Sequence, residues 1–266
     1  MLLLRWSFSA VLVAYFCVES AVVAQVDPSR GGPVSANNFE SRYELNSATK
    51  DNLQWVKDPA GSGKTVLFAR VRDTDGDSAG AKRTEISPTH EHIKEGIRWY
   101  AFSFYLPDDW QFHPFDTVVA QLHTSQKTAI VSPPVVFVIL GSNLVLSRHR
   151  PTDLSLPVSK ANTTTNNTLI STVATNKWYC LVVRVDWSNT YNKGSLEVWL
   201  NGNQVFKERN YHNSFETWLG NYPKAGIYMP GLMGVSKREV YMDFIHLGDA
   251  QSRFKDMYAL TPCDTK

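Results

Sequence analysis

Alternation of apolar and polar residues with a period of two is the feature of this chain that most restricts its fold. In residues 99–106, large apolar side chains at every second position share one face of an extended strand. Residues 179–187 repeat this pattern, and residues 195–200 repeat it directly before Asn201 and Gly202, a strong hairpin turn signal. The pattern predicts antiparallel strands that each bury one face.

Six further segments have the length and composition of strands, and turn residues separate them. They are residues 65–72, 117–121, 135–140, 144–148, 224–228 and 239–247. We find no convincing long helix and no internal repeat. Many short strands joined by turns predict an all-β fold, and we expect a concanavalin-like β-jelly roll sandwich of two antiparallel sheets.

The first 24 residues indicate the compartment. Arg5 gives a short basic start, residues 6–17 form an apolar run, and residues 22–24 are small, as in a secretory signal peptide. A membrane anchor is the alternative, but the run is shorter than the roughly 20 apolar residues that a bilayer requires. We therefore expect a secreted, extracellular protein without membrane association after cleavage. Residues 25–37 would form an extended lead-in, and residues 38–266 one domain.

Charge and cysteine content add weaker constraints. With 27 Lys and Arg against 25 Asp and Glu, the formal charge of +2 says little about partners, and we expect no nucleic-acid partner. Cys180 and Cys263 remain after signal cleavage and would either form one disulfide or stay a buried and an exposed thiol. Sequons for N-glycosylation begin at Asn162 and Asn166, in a polar run, residues 160–168, that we interpret as an exposed loop.

Three local patterns resemble known phosphate-binding or metal-binding sites. Residues 61–65 resemble part of a phosphate-binding loop, but the first glycine of that motif is missing, so we expect a turn and no nucleotide. Aspartates alternate through residues 73–77, which predicts either a solvated acidic turn or a structural calcium site. His90 and His92 have metal-ligand spacing but no evident third ligand, so exposed loop histidines are the favoured interpretation.

Three distant segments carry polar groups at strand spacing, so that alternate side chains in each can project toward one surface. The pairs are Arg83 with Glu85, Gln121 with His123, and Lys224 with Tyr228. Such a surface would hold a cation, an amide, an imidazole and a phenol. These groups suit the recognition of an acidic sugar.

Elimination in a uronic acid chain requires that the proton on carbon 5 be removed beside a negatively charged carboxylate. Arg83 or Lys224 can pair with that carboxylate, and Gln121 can donate a hydrogen bond to it. Glu85 would repel the substrate if it were free, so we expect it to pair with Arg83 or Lys224 and to orient that cation.

The same surface offers groups for both proton transfers. His123 is the predicted base, because an unperturbed imidazole titrates near operating pH. Tyr228 is the first candidate for the acid that protonates the glycosidic oxygen, and Tyr222 is the second; in some geometries one tyrosine does both jobs. Trp99 lies opposite an apolar stripe, where its ring would either stack on a sugar or pack in the protein.

The segments Arg-Thr-Glu-Ile (83–86), Gln-Leu-His (121–123) and Tyr-Pro-Lys-Ala-Gly-Ile-Tyr (222–228) resemble the signature segments of jelly-roll polysaccharide lyases. The chain is similar to the heparin-lyase-like and glucuronan lyase group over residues 38–250. This resemblance implies a concave face that binds an anionic polysaccharide, a Gln/His/Tyr catalytic group and no cofactor for the chemistry. Members of this group often also hold a structural calcium ion away from the catalytic residues, and the resemblance implies such an ion here.

The leading hypothesis is a secreted, monomeric lyase that cleaves a β-1,4-linked, glucuronan-like uronate polymer by β-elimination. Alginate is less favoured because alginate lyases of this fold usually carry Phe where this chain has Pro223. His90 or His92 is a reserve base, since some members of the group take their histidine from another strand. The alternatives are an alginate-type or heparin-type lyase, a non-catalytic glycan-binding protein, and a glycoside hydrolase. The last would need paired carboxylates, and the usual Glu-x-Asp-x-x-Glu strand is absent.

Overall fold

The computed structural model describes residues 35–36, 38–125, 132–156, 158–215 and 219–264. The strands are β1 (Tyr43–Ser47), β2 (Leu53–Lys57), β3 (Thr65–Arg72), β4 (Lys82–Pro88), β5 (Gly96–Tyr105), β6 (Thr117–Thr124), β7 (Val135–Leu140), β8 (Asn143–Pro151), β9 (Thr163–Thr172), β10 (Trp178–Trp187), β11 (Ser195–Leu200), β12 (Asn203–Arg209), β13 (Asn221–Met229), β14 (Lys237–Met242) and β15 (His246–Gly248). Short helices α1 (Phe39–Arg42) and α2 (Phe254–Tyr258) flank them, with 3-10 turns at Lys50–Asn52 and Lys160–Asn162. The predicted signal peptide lies outside the described residues.

The strands form two antiparallel sheets. The seven-stranded sheet has the order β1-β4-β13-β6-β7-β8-β9. The second sheet has the order β12-β11-β10-β5-β14-β3-β2, and β15 pairs with β5. Strands distant in sequence are therefore neighbours in space, as in a jelly roll. The predicted all-β sandwich is confirmed.

One large apolar core lies between the sheets, and it determines which side chains face outward. Ile86, Leu122 and Ile227 are fully buried on the inner face of the seven-stranded sheet, and Tyr100 and Phe102 meet them from the other sheet. Because successive strand residues point to opposite faces, the residues that alternate with Ile86, Leu122 and Ile227 point away from the core. The inner face provides stability and leaves the outer face for polar chemistry.

Residues 160–168 were predicted to be an exposed loop, and this prediction is wrong. They form the 3-10 turn Lys160–Asn162 and the first part of β9, the edge strand of the seven-stranded sheet. Asn162 is buried, and its side-chain amide donates to the backbone oxygen of Asp153 at 2.8 Å. The first sequon is thus engaged in folded structure, whereas Asn166 lies on the solvent-accessible edge strand.

A disulfide between Cys180 and Cys263 links the C-terminal segment to β10. It holds α2 against the outer face of the eight-stranded sheet, where Phe254 packs on Trp199 with ring centroids 5.2 Å apart. Of the two arrangements left open for these cysteines, the structure contains the bridged one. In the part of the chain that the structure describes, no helix is long and apolar enough to cross a membrane.

Candidate active site

Strands β4, β13 and β6 are neighbours near the middle of the seven-stranded sheet, and they bring the three polar segments together. The register pairs Tyr228 with Arg83 across β13 and β4. It also pairs Lys224 with Gln121, and Tyr222 with His123, across β13 and β6. All of these positions alternate with core residues, so their side chains lie together on the outer face.

A glycine lets β13 approach β4 at the centre of this cluster. Gly226 pairs with Glu85 and has a φ of +141°, a conformation that other residues rarely adopt. A Cβ atom at this position would collide with the backbone oxygen of Thr84. The pairing of β13 with β6 is also irregular between Ala225 and Tyr228. The conformation of this glycine therefore fixes where the flanking side chains point, a role that the sequence pattern did not reveal.

A buried ion cluster forms the base of the site. Glu85 is 2 % exposed, and its Oε2 lies 3.4 Å from Nη1 of Arg83 and 3.9 Å from Nζ of Lys224. Gln121 donates a hydrogen bond from Nε2 to Oε1 of the same carboxylate. Burial raises the pKa of Glu85, whereas Lys224, Arg83 and the Gln121 bond oppose that rise. The predicted pairing of Glu85 with the cations is confirmed.

The charges in this cluster do not cancel. Two cations, Arg83 and Lys224, face one carboxylate, Glu85, so a net charge of about +1 remains beneath the outer face when Glu85 is ionised. The amide of Gln121 was predicted to donate to a substrate, but one of its hydrogens is already used by Glu85. Oε1 of Gln121 is buried and has no hydrogen-bond partner among the described residues.

His123 is held as a neutral base. Its Nδ1 lies 2.8 Å from the backbone oxygen of Thr124, and a carbonyl can only accept, so Nδ1 carries the proton. Nε2 is then the basic nitrogen. Burial, the positive charge of Lys224 and, to a smaller extent, that of Arg83 together lower the pKa of His123 to about 4, although the bond to Thr124 acts in the opposite direction. At neutral pH the imidazole is therefore able to accept a proton.

Two tyrosines flank the imidazole and the ion cluster in different ways. The ring of Tyr222 lies between His123 and His92, with centroid distances of 5.3 and 4.8 Å. Burial and, to a smaller extent, the carboxylate of Glu85 raise the pKa of Tyr222 to about 12. The guanidinium of Arg83 lies 4.2 Å from the ring centroid of Tyr228, so this phenol adjoins the positive charge.

Trp99 does not join this cluster. It lies on β5 in the other sheet, is 7 % exposed, and stacks on Trp199 at 5.6 Å beside α2. This position is on the outer face of the eight-stranded sheet, across the whole sandwich from His123. Of the two interpretations of Trp99, the geometry favours packing under the C-terminal helix, and the prediction of a sugar contact needs correction.

The acidic turn at residues 73–77 is occupied by internal contacts. Asp75 accepts hydrogen bonds from the side chain of Asn52 and the backbone of Arg72, each at 2.8 Å. The ammonium of Lys82 donates to the backbone oxygen of Asp75 and lies 3.7 Å from Asp77. A cationic side chain thus already compensates this turn. Within the described ranges, no group of three His, Cys, Asp or Glu residues is arranged to hold a metal ion.

Comparison with known proteins places these observations in a family. The family model described as polysaccharide lyase matches residues 30–246, most of the chain. The chain belongs to the polysaccharide lyase family. No curated protein matches the sequence of this lyase.

Solved structures of low sequence identity share the fold of this lyase. The endo-β-1,4-glucuronan lyase of the fungus Trichoderma reesei superposes with a TM-score of 0.66 at 19% identity, covering 82% of this chain and 97% of that one. The family 7 alginate lyase A1-II′ in complex with product superposes with a TM-score of 0.54 at 15% identity, covering 80% and 97%. A second structure of A1-II′, in complex with substrate, also has a TM-score of 0.54 at 15% identity and covers 83% and 99%.

Proposed function

We propose that this lyase cleaves a β-1,4-linked uronate polymer of the glucuronan type by β-elimination. The single observation that carries the proposal is the cluster on the outer face. There, two buried cations face one carboxylate, which leaves a net charge of +1, and a neutral imidazole and a phenol lie beside them. Elimination beside a carboxylate needs these functions at one place, because the acid group must be neutralised while a proton leaves the adjacent carbon.

In the proposed reaction, the substrate carboxylate lies over the ion cluster. Arg83 and Lys224 stabilise the charge that spreads onto this carboxylate as the C5–H bond weakens. Glu85 holds both cations from below, since its carboxylate contacts each of them. Gln121 keeps Glu85 in place with one amide hydrogen and would offer the second to the substrate carboxylate.

The two proton transfers are assigned to His123 and Tyr228. Nε2 of His123 takes the C5 proton, and the electron pair of that bond forms the C4–C5 double bond. The C4–O4 bond breaks, and the phenol of Tyr228 protonates the departing oxygen. Each chain break thus yields one new reducing end and one unsaturated uronate. Tyr222 supports the ring of His123 and is the alternative acid.

A glucuronate polymer is the favoured substrate. The likeness in fold extends further for the glucuronan lyase than for the alginate lyases, with TM-scores of 0.66 and 0.54. Pro223 at a position where the related alginate lyases usually carry Phe favours the same choice. The disulfide between Cys180 and Cys263 supports secretion, because such bonds persist mainly in oxidising compartments.

The proposal is tested by incubating the purified protein with glucuronan, alginate and heparin. We expect glucuronan to give the fastest rise in ultraviolet absorbance, because each elimination creates a double bond conjugated with a carboxylate. Binding without any product on all three polymers would favour a glycan-binding protein without catalytic activity. Release of reducing ends without absorbance would instead indicate hydrolysis and would contradict the proposal.

The pH dependence follows from the state of His123. Its pKa of about 4 predicts that kcat/KM is insensitive to this group near neutrality and falls about tenfold per pH unit below roughly pH 4, where the base becomes protonated. Because the charge of Lys224 helps to lower this pKa, Lys224→Met should move the acid limb to higher pH. Initial rates measured between pH 3 and 8 check both statements. An acid limb that does not move in the variant would remove His123 as the titrating base.

A further inference from the structure

A polar cavity lies apart from the catalytic cluster, at the edge of the sandwich, and we call it the edge cavity. It has a volume of about 320 Å³, within the range of sites for small ligands. The end of β8, the start of β9 and the loops that follow β10 and β12 line it. The side chains used below are Arg150, Thr152, Thr164, Tyr191, Asn192 and Asn210.

The edge cavity has an incompletely compensated cation. Nη1 of Arg150 lies 4.0 Å from Oε1 of Glu208, but Arg148 donates to the other oxygen of the same carboxylate. Two guanidinium groups therefore share one negative charge. The side chain of Arg150 is 32 % exposed, and its Cζ lies 5.7 Å from the ring centroid of Tyr211. A carboxylate that enters the cavity would complete the charge balance and could accept two hydrogen bonds from this planar group.

The edge cavity also has a fixed aromatic surface. Tyr191 is 50 % exposed, yet its hydroxyl accepts from the backbone nitrogen of Leu154 at 2.8 Å and donates to Asp153 at 3.2 Å. The ring of His212 is nearly perpendicular to the ring of Tyr191, with centroids 5.1 Å apart. An exposed ring that is held at both ends loses little conformational entropy when a ligand stacks on it. Flat, partly apolar sugar faces suit such a surface.

Amides and hydroxyls complete the lining. Asn192 and Asn210 occupy left-handed turn positions, with φ values of +57° and +58°. Thr152, directly after β8, and Thr164, on β9, add hydroxyls. A cation, an aromatic surface and several neutral hydrogen-bonding groups together match an acidic saccharide better than a phosphate or a peptide. A bare anion would use Arg150 alone and leave the ring and the amides unoccupied.

We propose that the edge cavity is a second, non-catalytic binding site for a uronate-containing saccharide, in which Arg150 pairs with a carboxylate and Tyr191 stacks on a sugar ring. Two strand spacings of about 4.8 Å separate β6 from β8, so Arg150 lies roughly 10 Å or more from the catalytic strands. One polymer can therefore engage both sites, which raises its effective affinity without changing the chemical step. The choice of glucuronate as the ligand rests on the proposed function.

Binding is tested with protein made in bacteria, which lacks N-glycans on the adjacent β9 strand, and with Tyr228→Phe to prevent cleavage. Calorimetric titration with a glucuronate tetrasaccharide should show two binding events, and the added pair Arg150→Gln and Tyr191→Ala should leave one. Arg184→Gln is the matched control, because Arg184 is 24 % exposed and lies 3.7 Å from Glu197 on the opposite sheet. A single event before the added substitutions, or equal binding of the uncharged cellotetraose at the edge cavity, would overturn the proposal.

Kinetics separate this site from the catalytic one. With Tyr228 intact, Arg150→Gln plus Tyr191→Ala should raise KM for the polymer by roughly tenfold or more and leave kcat and the cleavage of the tetrasaccharide unchanged. An unchanged KM for the polymer would contradict the edge-cavity assignment. If the wild type binds twice but cleaves no uronate polymer, the proposed function fails and the second site stands. If it cleaves but binds only once, the reverse holds.

Discussion

Tyr228→Phe is expected to lower kcat on glucuronan by about 10³-fold, within the range attributed to one positioned general acid or base. The substitution removes only the phenolic hydroxyl, so the ring stays beneath the guanidinium of Arg83, 4.2 Å away. KM should change little, because the lost group acts on the departing oxygen and not on the substrate carboxylate. Initial rates followed by ultraviolet absorbance provide the measurement.

Two matched variants serve as controls for this result. Tyr222→Phe should cost much less activity, because the ring that packs on His123 is retained and its hydroxyl is only the alternative acid. Tyr241→Phe, on the opposite sheet and paired with Phe68, should leave activity unchanged. If Tyr222→Phe lost more activity than Tyr228→Phe, the acid would be Tyr222. If neither variant lost activity, the assignment of the proton donor to a tyrosine would be wrong.

The sequence predicted best those strands that bury one complete face. Bounds predicted from the alternation agree with β3, β7 and β11 because the core requires an apolar side chain at every second position there. The same reasoning failed at β9, where exposed Thr165, Asn167 and Leu169 occur in a strand at the edge of its sheet. An edge strand need not bury a face, so it carries no periodic signal.

The candidate site was only partly predictable for a similar reason. Strand spacing identified which residues of each segment share a face, but the adjacency of β4, β13 and β6 depends on long-range topology. The resemblance to known lyases supplied that adjacency. Trp99 illustrates the limit, since its position opposite the apolar stripe fits both a sugar site and a second packed layer. The distant helix α2 decides between them. The bond between Gln121 and Glu85 likewise depends on pairing that local sequence does not encode.

Glu85→Ala is expected to lower the free energy of unfolding by about 3–5 kcal/mol, the usual cost of leaving buried charges without their partner. Arg83 and Lys224 are both buried, so neither the guanidinium nor the ammonium can become fully hydrated when the carboxylate is removed. Activity should fall as well, because the two cations lose the group that orients them beneath the substrate. Denaturant unfolding and initial rates measure the two effects separately.

A second carboxylate, on the opposite sheet, provides a control in which the paired cations are exposed. Glu197 lies 3.5–3.7 Å from Arg184, Lys207 and Arg209, but those cations are 24–62 % exposed and can be hydrated without it. Glu197→Ala should therefore cost no more than about 1 kcal/mol, as for ion pairs at a protein surface. Equal losses of stability in the two variants would show that burial of the cations does not determine how much the Glu85 cluster contributes to the free energy of unfolding.

A charge-balanced variant then separates stability from function. Combining Glu85→Gln with Lys224→Met removes one charge of each sign, keeps an amide beside Arg83, and replaces an ammonium with an apolar group of similar length. Such exchanges of buried pairs are often neutral for folding, so most of the stability lost in Glu85→Ala should return. Activity should not return. Arg83 is then the only cation left to neutralise the substrate carboxylate, and it lacks the carboxylate of Glu85 that orients it. Recovery of both properties would mean that Arg83 alone neutralises the substrate carboxylate and that Glu85 and Lys224 serve the fold.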